Sequence, residues 1–290
     1  RRLSRGKDSS KTRQGNVTVT IEFLAGDHKM PANNYWNIEN LGYYLYIKGQ
    51  GSATTNLIFN DGGDGKFVIN NCHVMFDEIN LNLPRNSAIQ GSWGAQIYLG
   101  GQVGDFTMTG GIVVDHGSIL KTYQPLVFGS YDLTVDNNSY ARIDALSCDD
   151  IFVYDSRVYA DNDITLLDDL RLERSTFYSA SALTLSGTLT VREMSTADIS
   201  GEISAPVGVT TMNVVLTNGS LKCFGLTRCD TLELFDRSSM FSALPISTNN
   251  SLYVQRDSRL YIDGNADIGG DIYCRYGSNV HIDGTLTATS

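Results

Sequence analysis

Residues 251–290 decide the fold, because they hold two copies of one pattern: SLYVQRDSRLYIDGNADIGG (251–270) and DIYCRYGSNVHIDGTLTATS (271–290). In each copy apolar and polar residues alternate in short runs, the two-residue period of a strand with one side toward a core. A polar turn with Ser258 or Ser278 separates the first run from the second. Self-similarity at a period of about 20 residues indicates a repeat protein.

The pattern extends back to Asp132 in eight units, each with a serine at nearly the same place in the turn after the first run. The units begin at Asp132, Asp150, Asp169, Thr188, Asn213, Thr231, Ser251 and Asp271, and the serines are Ser139, Ser156, Ser175, Ser195, Ser220, Ser238, Ser258 and Ser278. Such serines can bond their own backbone and bend the chain. The first runs carry apolar pairs from Leu133/Val135 to Ile272/Cys274, and a looser third run includes Leu244/Ile246.

Three short strands and three turns in roughly 19 residues are typical of one rung of a parallel β-helix, whose rungs stack at about 4.8 Å. A leucine-rich repeat has a similar length but needs an LxxLxLxxN frame, which this sequence lacks. We therefore predict an all-β fold, a single-stranded parallel β-helix. The general rule for parallel crossovers makes it right-handed.

Upstream of residue 132 the same runs recur with longer gaps. Leu45/Ile47, Phe67/Ile69 and Phe106/Met108 resemble first-run pairs, each after a turn that contains glycine. The last gap includes LPRNSAIQGSWGAQIYLGGQVG (83–104), which fits one further rung plus a protruding loop. We predict that residues 16–290 form the β-helix with a loop insertion around 83–104, since insertions in solenoids form loops on one face.

The chain has 290 residues and a formal charge of -10, distributed unevenly. Residues 1–14 hold six Lys or Arg and one Asp, so the remainder has 16 basic and 31 acidic residues, a net of -15. We predict that residues 1–15 are a basic, disordered lead or linker. The acidic body argues against a nucleic-acid partner. No apolar stretch reaches the roughly 20 residues that membrane insertion requires.

The cysteines and histidines give no ligand pattern. Cys72, Cys148, Cys223, Cys229 and Cys274 are odd in number and form no CxxC pair, so buried free thiols are expected. The four histidines are scattered, and none lies beside a cysteine pair at zinc spacing. We expect no cofactor and no metal.

Doubled acids mark the edges of two rungs. Asp149 and Asp150 precede Asp168 and Asp169 by 19 residues, so the two pairs are expected to stack. Paired carboxylates could serve a glycosidase or hold calcium. They could equally satisfy backbone N–H groups in turns. If the chain is an enzyme, these four are the candidate catalytic acids of a polysaccharide-degrading glycosidase or lyase.

Aromatic side chains give the candidate receptor-binding residues. Tyr44 and Tyr46 point outward if Leu45 and Ile47 point inward, and Trp93 and Tyr98 lie in the expected insertion. Aromatic rings combine a large apolar area with a polar end and anchor ligands or partners. For the neighbouring Tyr35 and Trp36, a hydrophobic cap on the first rung is the alternative, which a solenoid requires.

The rungs and the opening segment resemble the β-helical shafts of bacteriophage tailspikes and tail fibres. Residues 15–59, GNVTVTIEFLAGDHKMPANNYWNIENLGYYLYIKGQGSATTNLIF, hold a V-x-V/I strand, a glycine turn, an aromatic segment and an L-x-I-x-G-x-G strand. The resemblance covers residues 16–290 at the level of architecture. It implies a homotrimer that contacts other tail proteins and is located in the virion, outside the cell. The chain lacks an initiator Met and stops inside a rung, so a longer protein is expected.

The resemblance predicts adhesion to a bacterial cell-surface receptor, a glycan or an outer-membrane protein. A polysaccharide depolymerase on the same fold is the first alternative, and the acids above would be its catalytic groups. The passenger of a bacterial surface adhesin is the second alternative. The sequence itself carries no enzyme motif.

Overall fold

The computed structural model describes residues 2–4, 17–30, 36–59, 66–83, 88–101, 106–209 and 211–289. These ranges hold 37 strands and no helix, and therefore no helix that could cross a membrane. They fall into two compact units, Arg1–Asp144 and Ala145–Ser290. Each unit is a parallel β-solenoid with three strands per rung, and together they hold about eleven turns. The predicted all-β solenoid is confirmed.

The three strands of a rung lie on three faces, which we number in the order of the repeat. In the first unit, face 1 contains β4 (Trp36–Glu39), β7 (Lys66–Asn70), β10 (Ala88–Ser92), β13 (Gly111–Val114) and β16 (Leu133–Val135). Face 2 contains β2 (Thr18–Glu22), β5 (Tyr44–Lys48), β8 (His73–Asp77), β11 (Gln96–Leu99), β14 (Ile119–Thr122) and β17 (Tyr140–Ile143). Face 3 contains β3 (Gly26–Met30), β6 (Thr55–Phe59), β9 (Ile79–Asn82) and β12 (Phe106–Thr109), with β15 (Leu126–Val127) beside β12.

The second unit repeats this arrangement. Face 1 contains β19 (Ile151–Tyr154), β22 (Leu170–Glu173), β25 (Thr188–Arg192), β27 (Asn213–Thr217), β29 (Thr231–Phe235), β32 (Leu252–Gln255) and β35 (Ile272–Arg275). Face 2 contains β20 (Arg157–Ala160), β23 (Thr176–Ser179), β30 (Ser239–Ser242), β33 (Arg259–Ile262) and β36 (Asn279–Ile282). Face 3 contains β18 (Leu146–Cys148), β21 (Ile164–Leu166), β24 (Leu183–Leu185), β31 (Ile246–Thr248), β34 (Ala266–Ile268) and β37 (Leu286–Ala288). The long strands β26 (Thr196–Ser204) and β28 (Ser220–Cys229) continue from face 2 into face 3.

Neighbouring strands of a face pair in parallel register, so identical positions of successive rungs stack. In β22 and β25, Leu170 lies opposite Leu189 and Leu172 opposite Val191, and all four are fully buried. The predicted first-run pairs from Leu133/Val135 to Leu252/Val254 are likewise buried. The pair in β35 is the exception, because Ile272 is half-buried and Cys274 exposed. Apolar alternation therefore builds the core rung by rung.

Left-handed residues and a column of buried serines form the corner between faces 1 and 2. Asp155 and Arg174 have φ of 46° and 49°, and a serine follows each of them. The Ser175 Oγ accepts the N–H of Ser156 at 3.1 Å, and the Ser195 Oγ accepts the N–H of Ser175 at 3.0 Å. The recurrent serine of the sequence is thus a hydrogen-bond ladder between rungs.

The prediction that Ser220 is the turn serine of its rung is wrong. Ser220 lies opposite Ser239 in the first position of the strand, so Gly219 occupies the corner position. The N–H of Gly219 donates to the Ser238 Oγ at 3.3 Å. A Cβ at residue 219 would overlap the carbonyl oxygen of Val191, which explains why a glycine replaces the serine here.

Two assignments of apolar pairs are corrected as well. Leu244 is 42% exposed, and the inward pair of that rung is Ile246 with Thr248. The three upstream pairs lie on three different faces, not on one. Leu45/Ile47 belong to β5 on face 2, Phe67/Ile69 to β7 on face 1, and Phe106/Met108 to β12 on face 3.

The segment that was expected to contain an insertion forms a further rung over its described residues. Strands β10 and β11 pair in parallel with the strands before and after them. Residues 84–87 and 102–105 lie outside the described ranges. Of the basic lead, only the backbone of β1 (Arg2–Ser4) is described, and it pairs antiparallel with β2.

The cysteines are free thiols, and the first-rung Trp36 contacts the core. All five cysteines are free; Cys72, Cys148, Cys223 and Cys229 are buried, and Cys274 is exposed. Trp36 packs edge-on against Phe67, with ring centroids 5.2 Å apart. Trp36 thus contacts the core, as a hydrophobic cap would, whereas Tyr35 lies outside the described residues.

Candidate functional site

The doubled acids of the second unit lie at the corner between faces 3 and 1. The N–H of Asp168 donates to the Asp149 carbonyl oxygen at 3.0 Å, so the two pairs are stacked as predicted. Carboxylate oxygens of Asp150, Asp168 and Asp169 all lie within 4.8 Å of one another. At the next rung a Cβ on Gly187 would overlap the carboxylates of Asp168 and Asp169, so glycine leaves room for them.

Two of these carboxylates hold the backbone of the next rung. Asp150 Oδ1 accepts the N–H of Asp169 at 2.6 Å, and Asp169 Oδ1 accepts the N–H of Thr188 at 2.6 Å. This is the turn-capping role that short acidic side chains perform. Asp150 and Asp169 therefore both have a structural function, because their carboxylates hold the backbone of the next rung.

Burial and neighbouring acids change the proton affinity of Asp168. Desolvation raises the pKa of Asp168 first, and repulsion from Asp169 and Asp149 raises it further. A raised pKa favours the protonated form that a general acid needs. Such a shift also arises wherever like charges are stacked, and the Asp168 side chain is exposed at the corner.

Trp93 lies at the corner between β10 and β11 and is the most exposed of the predicted receptor-binding residues. Its φ is 57°, a conformation uncommon for bulky side chains, and 65% of its surface is exposed. The indole stacks on the His116 ring one rung later, with centroids 4.1 Å apart. His116 is held in turn, since its Nδ1 lies 2.6 Å from the Asp115 carboxylate.

Tyr98 lies on the outer side of β11 and is half-buried. Its ring is parallel to Tyr123, with centroids 6.4 Å apart, and the Lys121 ammonium lies 5.9 Å from its centroid. Its hydroxyl donates to Gln96 Oε1 at 2.9 Å, and burial raises its pKa. Tyr98 is thus one member of an outward cluster, whose exposed ring is Tyr123.

Tyr44 and Tyr46 point outward from β5, as the burial of Leu45 and Ile47 requires. The Tyr46 hydroxyl donates to Asp77 Oδ2 at 2.7 Å, and burial together with Asp77 strongly raises its pKa. Tyr44 packs edge-on against His73, with centroids 4.6 Å apart. The hydroxyl group of Tyr46 therefore forms a hydrogen bond within the protein.

The outer side of face 2 in the second unit carries a groove that the sequence reasoning missed. It encloses about 440 Å³ and crosses β28, β30, β33 and β36. Phe241, Tyr261 and His281 form one wall, at steps of 20 residues that could have revealed it. Its other lining residues are Ser220, Leu221, Lys222, Ser239, Met240, Arg259, Leu260 and Asn279.

The geometry thus offers three candidate regions: the acidic corner, the Trp93 corner with the Tyr98 cluster, and the face 2 groove of the second unit. The sequence located the first two; His116 and Tyr123 were missed because each lies one rung after its partner. Comparisons of the chain with protein-family models, with curated proteins and with solved structures find no match.

Proposed function

We propose that the chain is the β-helical part of a bacteriophage tail fibre or tailspike that binds a polysaccharide on a bacterial surface. The parallel solenoid supports this proposal, because stacked rungs hold outward side chains in fixed register. The observation that carries it is the exposed indole of Trp93 on a left-handed corner, stacked on His116.

The exposed ring of Trp93 is the physical reason for this proposal. Positive φ recurs at this corner in successive rungs, as at Asp155 and Arg174, so the left-handed backbone belongs to the fold. An exposed aromatic ring leaves apolar area in water that a ligand could cover. The exposure of the ring and its stacking on His116 together favour a ligand-binding role for Trp93.

Substitution of Trp93 tests the proposal. Binding of the purified chain to lipopolysaccharides and capsules from a panel of bacteria is measured by surface plasmon resonance. We expect Trp93→Ala to weaken binding by about tenfold or more, the effect of losing an aromatic hot spot. Met194→Ala is the matched control, because Met194 is 75% exposed with φ of 64°.

Two results would count against the proposal. Equal losses in the Trp93 and Met194 variants would assign the effect to the corner backbone. Binding to none of the polysaccharides would favour a protein receptor or a different role. Circular dichroism of each variant confirms that the strands are retained.

A homotrimer forms part of the proposal, because three copies multiply weak contacts with a repetitive surface. Native mass spectrometry of the purified chain measures the oligomeric state. A trimer supports the shaft of a tail protein, whereas a stable monomer favours the passenger of a surface adhesin.

A polysaccharide depolymerase is the second candidate, and the raised pKa of Asp168 favours it. The capping of backbone N–H groups by Asp150 and Asp169 argues for adhesion without cleavage. The test is release of reducing ends from a bound polysaccharide. Release that Asp168→Asn abolishes, while binding persists, would establish the enzyme.

A further inference from the structure

We infer that the face 2 groove of the second unit is a second ligand site and that it binds a carboxylated glycan, through Arg259 beside an aromatic wall. It is a different site from the Trp93 corner, so it is tested separately from the proposed adhesion.

The wall is a rigid column of three rings. Phe241 lies opposite Tyr261 and Tyr261 opposite His281 in the strand register. Their centroids are 5.3 Å and 4.9 Å apart, with planes inclined by 9° and 12°. Asp283 fixes the last two rings, because it accepts the Tyr261 hydroxyl and its Oδ1 lies 2.7 Å from His281 Nε2.

Short side chains keep the space beside the column open. The same position of successive strands holds Ser220, Ser239, Arg259 and Asn279, so the two serines leave space beside the arginine. Ser239 Oγ donates to Ser220 Oγ at 3.2 Å, which holds both hydroxyls along the groove. The volume of about 440 Å³ lies within the ~300–1,000 Å³ of small-ligand sites.

The charges that line the groove are positive, although the chain as a whole is acidic. Lys222 Nζ lies 3.6 Å from an Asp198 carboxylate oxygen and is thus partly neutralised. In the part of the chain that the structure describes, no carboxylate lies within 4.0 Å of the Arg259 guanidinium. An arginine without a partner can bind a ligand carboxylate with two parallel hydrogen bonds.

The rings, the hydroxyl groups and the arginine of the groove together indicate the class of ligand that it binds. The edges of the stacked rings give apolar area that the C–H surface of a sugar can contact, and the serine hydroxyls with Asn279 can bond its hydroxyl groups. The free guanidinium of Arg259 adds a preference for a carboxylated oligosaccharide over a neutral oligosaccharide of the same length. A uronate oligosaccharide has all three features.

Isothermal titration calorimetry with hexagalacturonate and with neutral maltohexaose tests the inference. We expect the unaltered chain to bind hexagalacturonate more tightly than maltohexaose, and Arg259→Gln to weaken hexagalacturonate by about tenfold or more. Arg157→Gln is the matched control. Arg157 is also exposed at the first position of a face 2 strand but lies outside the groove, and we expect a change of less than about twofold.

No binding of hexagalacturonate, equal binding of maltohexaose, or equal losses in both arginine variants would each overturn the inference. Trp93→Ala serves as a cross-check. Hexagalacturonate binding that survives this substitution supports an independent groove site even if the proposed adhesion fails, whereas its loss would reassign the binding to the Trp93 corner.

Discussion

The serines at the corner between faces 1 and 2 connect neighbouring rungs through buried hydroxyl groups. Ser175 is 5% exposed, and its Oγ donates to the Glu173 carbonyl oxygen at 2.6 Å while it accepts the N–H of Ser156. A backbone N–H that loses its partner in a buried site costs more than the hydrogen bond gains. The corner serines therefore stabilise the fold.

Ser175→Ala should lower the free energy of unfolding by about 1–3 kcal/mol, because the N–H of Ser156 is left without an acceptor. Urea denaturation followed by circular dichroism measures the change. Ser220→Ala is the control: the Ser220 Oγ bonds Ser239 on the surface and not a corner N–H, so a change below about 0.5 kcal/mol is expected. Equal losses in the two variants would show that the corner hydrogen bonds stabilise the fold no more than a surface hydrogen bond does.

Asp168 should destabilise the folded chain when it is ionised. Its pKa is raised above the ordinary 3.8, so the folded state binds the proton more tightly than the unfolded state. By linkage, the stabilisation by the protonated form is complete below pH 3.8 and is lost as the pH rises through the raised pKa.

Asp168→Asn should therefore raise the melting temperature at pH 7 and have a smaller effect at pH 3.5. The gain should not exceed the ~1 kcal/mol of exposed charge interactions. Differential scanning calorimetry between these pH values gives the comparison. Asp267→Asn, at an exposed position of β34, is the control. A gain for Asp168→Asn that is the same at both pH values would mean that packing, not charge, is responsible.

At the scale of the strand, alternation predicted which residues face the core, because each inward position repeats with every rung. It failed where inward residues are polar. Thr248 points inward and donates to the Asn250 carbonyl oxygen at 2.9 Å, so a pattern counted on apolar residues selected Leu244 instead. The sequence shows that Thr248 ends this strand. Only the structure shows that its hydroxyl bonds the following turn.

The three faces could not be told apart upstream for a related reason. All faces use the same two-residue period, so an isolated pair such as Leu45/Ile47 fits any of them. In the second unit the nearly constant spacing supplied the missing information. The face 2 groove escaped prediction because its wall depends on three residues of successive rungs, such as Phe241 and Tyr261, that are neighbours only in register.

A core substitution should act mainly on its own rung and the two rungs beside it, because solenoid repeats contact their neighbours alone. Leu172→Ala removes a fully buried side chain of β22 and should cost about 2–5 kcal/mol. Hydrogen exchange followed by mass spectrometry should show the largest loss of protection in β19, β22 and β25. Leu286→Ala, at a position 48% exposed, should leave exchange nearly unchanged. Uniform loss throughout the second unit would indicate a single cooperative core.

At the scale of the whole molecule, net charge opposes local ion pairs. The chain has 32 acidic and 22 basic residues, so self-repulsion disfavours the compact state at low salt. Some corner positions offset this repulsion, since Arg174 pairs with Asp155 at 2.7 Å and also with Glu193. Exposed pairs of this kind contribute about 0–1 kcal/mol each, and salt screens them as well.

Repulsion should dominate, because the chain has ten more acidic than basic residues, whereas pairs such as Arg174–Asp155 and Arg256–Asp236 in the described part of the chain are exposed. The melting temperature at pH 7 should therefore rise between about 10 mM and 150 mM NaCl, as the screening length falls from about 30 Å to 8 Å. The same titration near pH 4.8, where the net charge is close to zero, is the control. There the rise should vanish or reverse, since only ion pairs remain to be screened. A melting temperature that falls with salt at pH 7 would mean that the pairs at the corners outweigh the net charge.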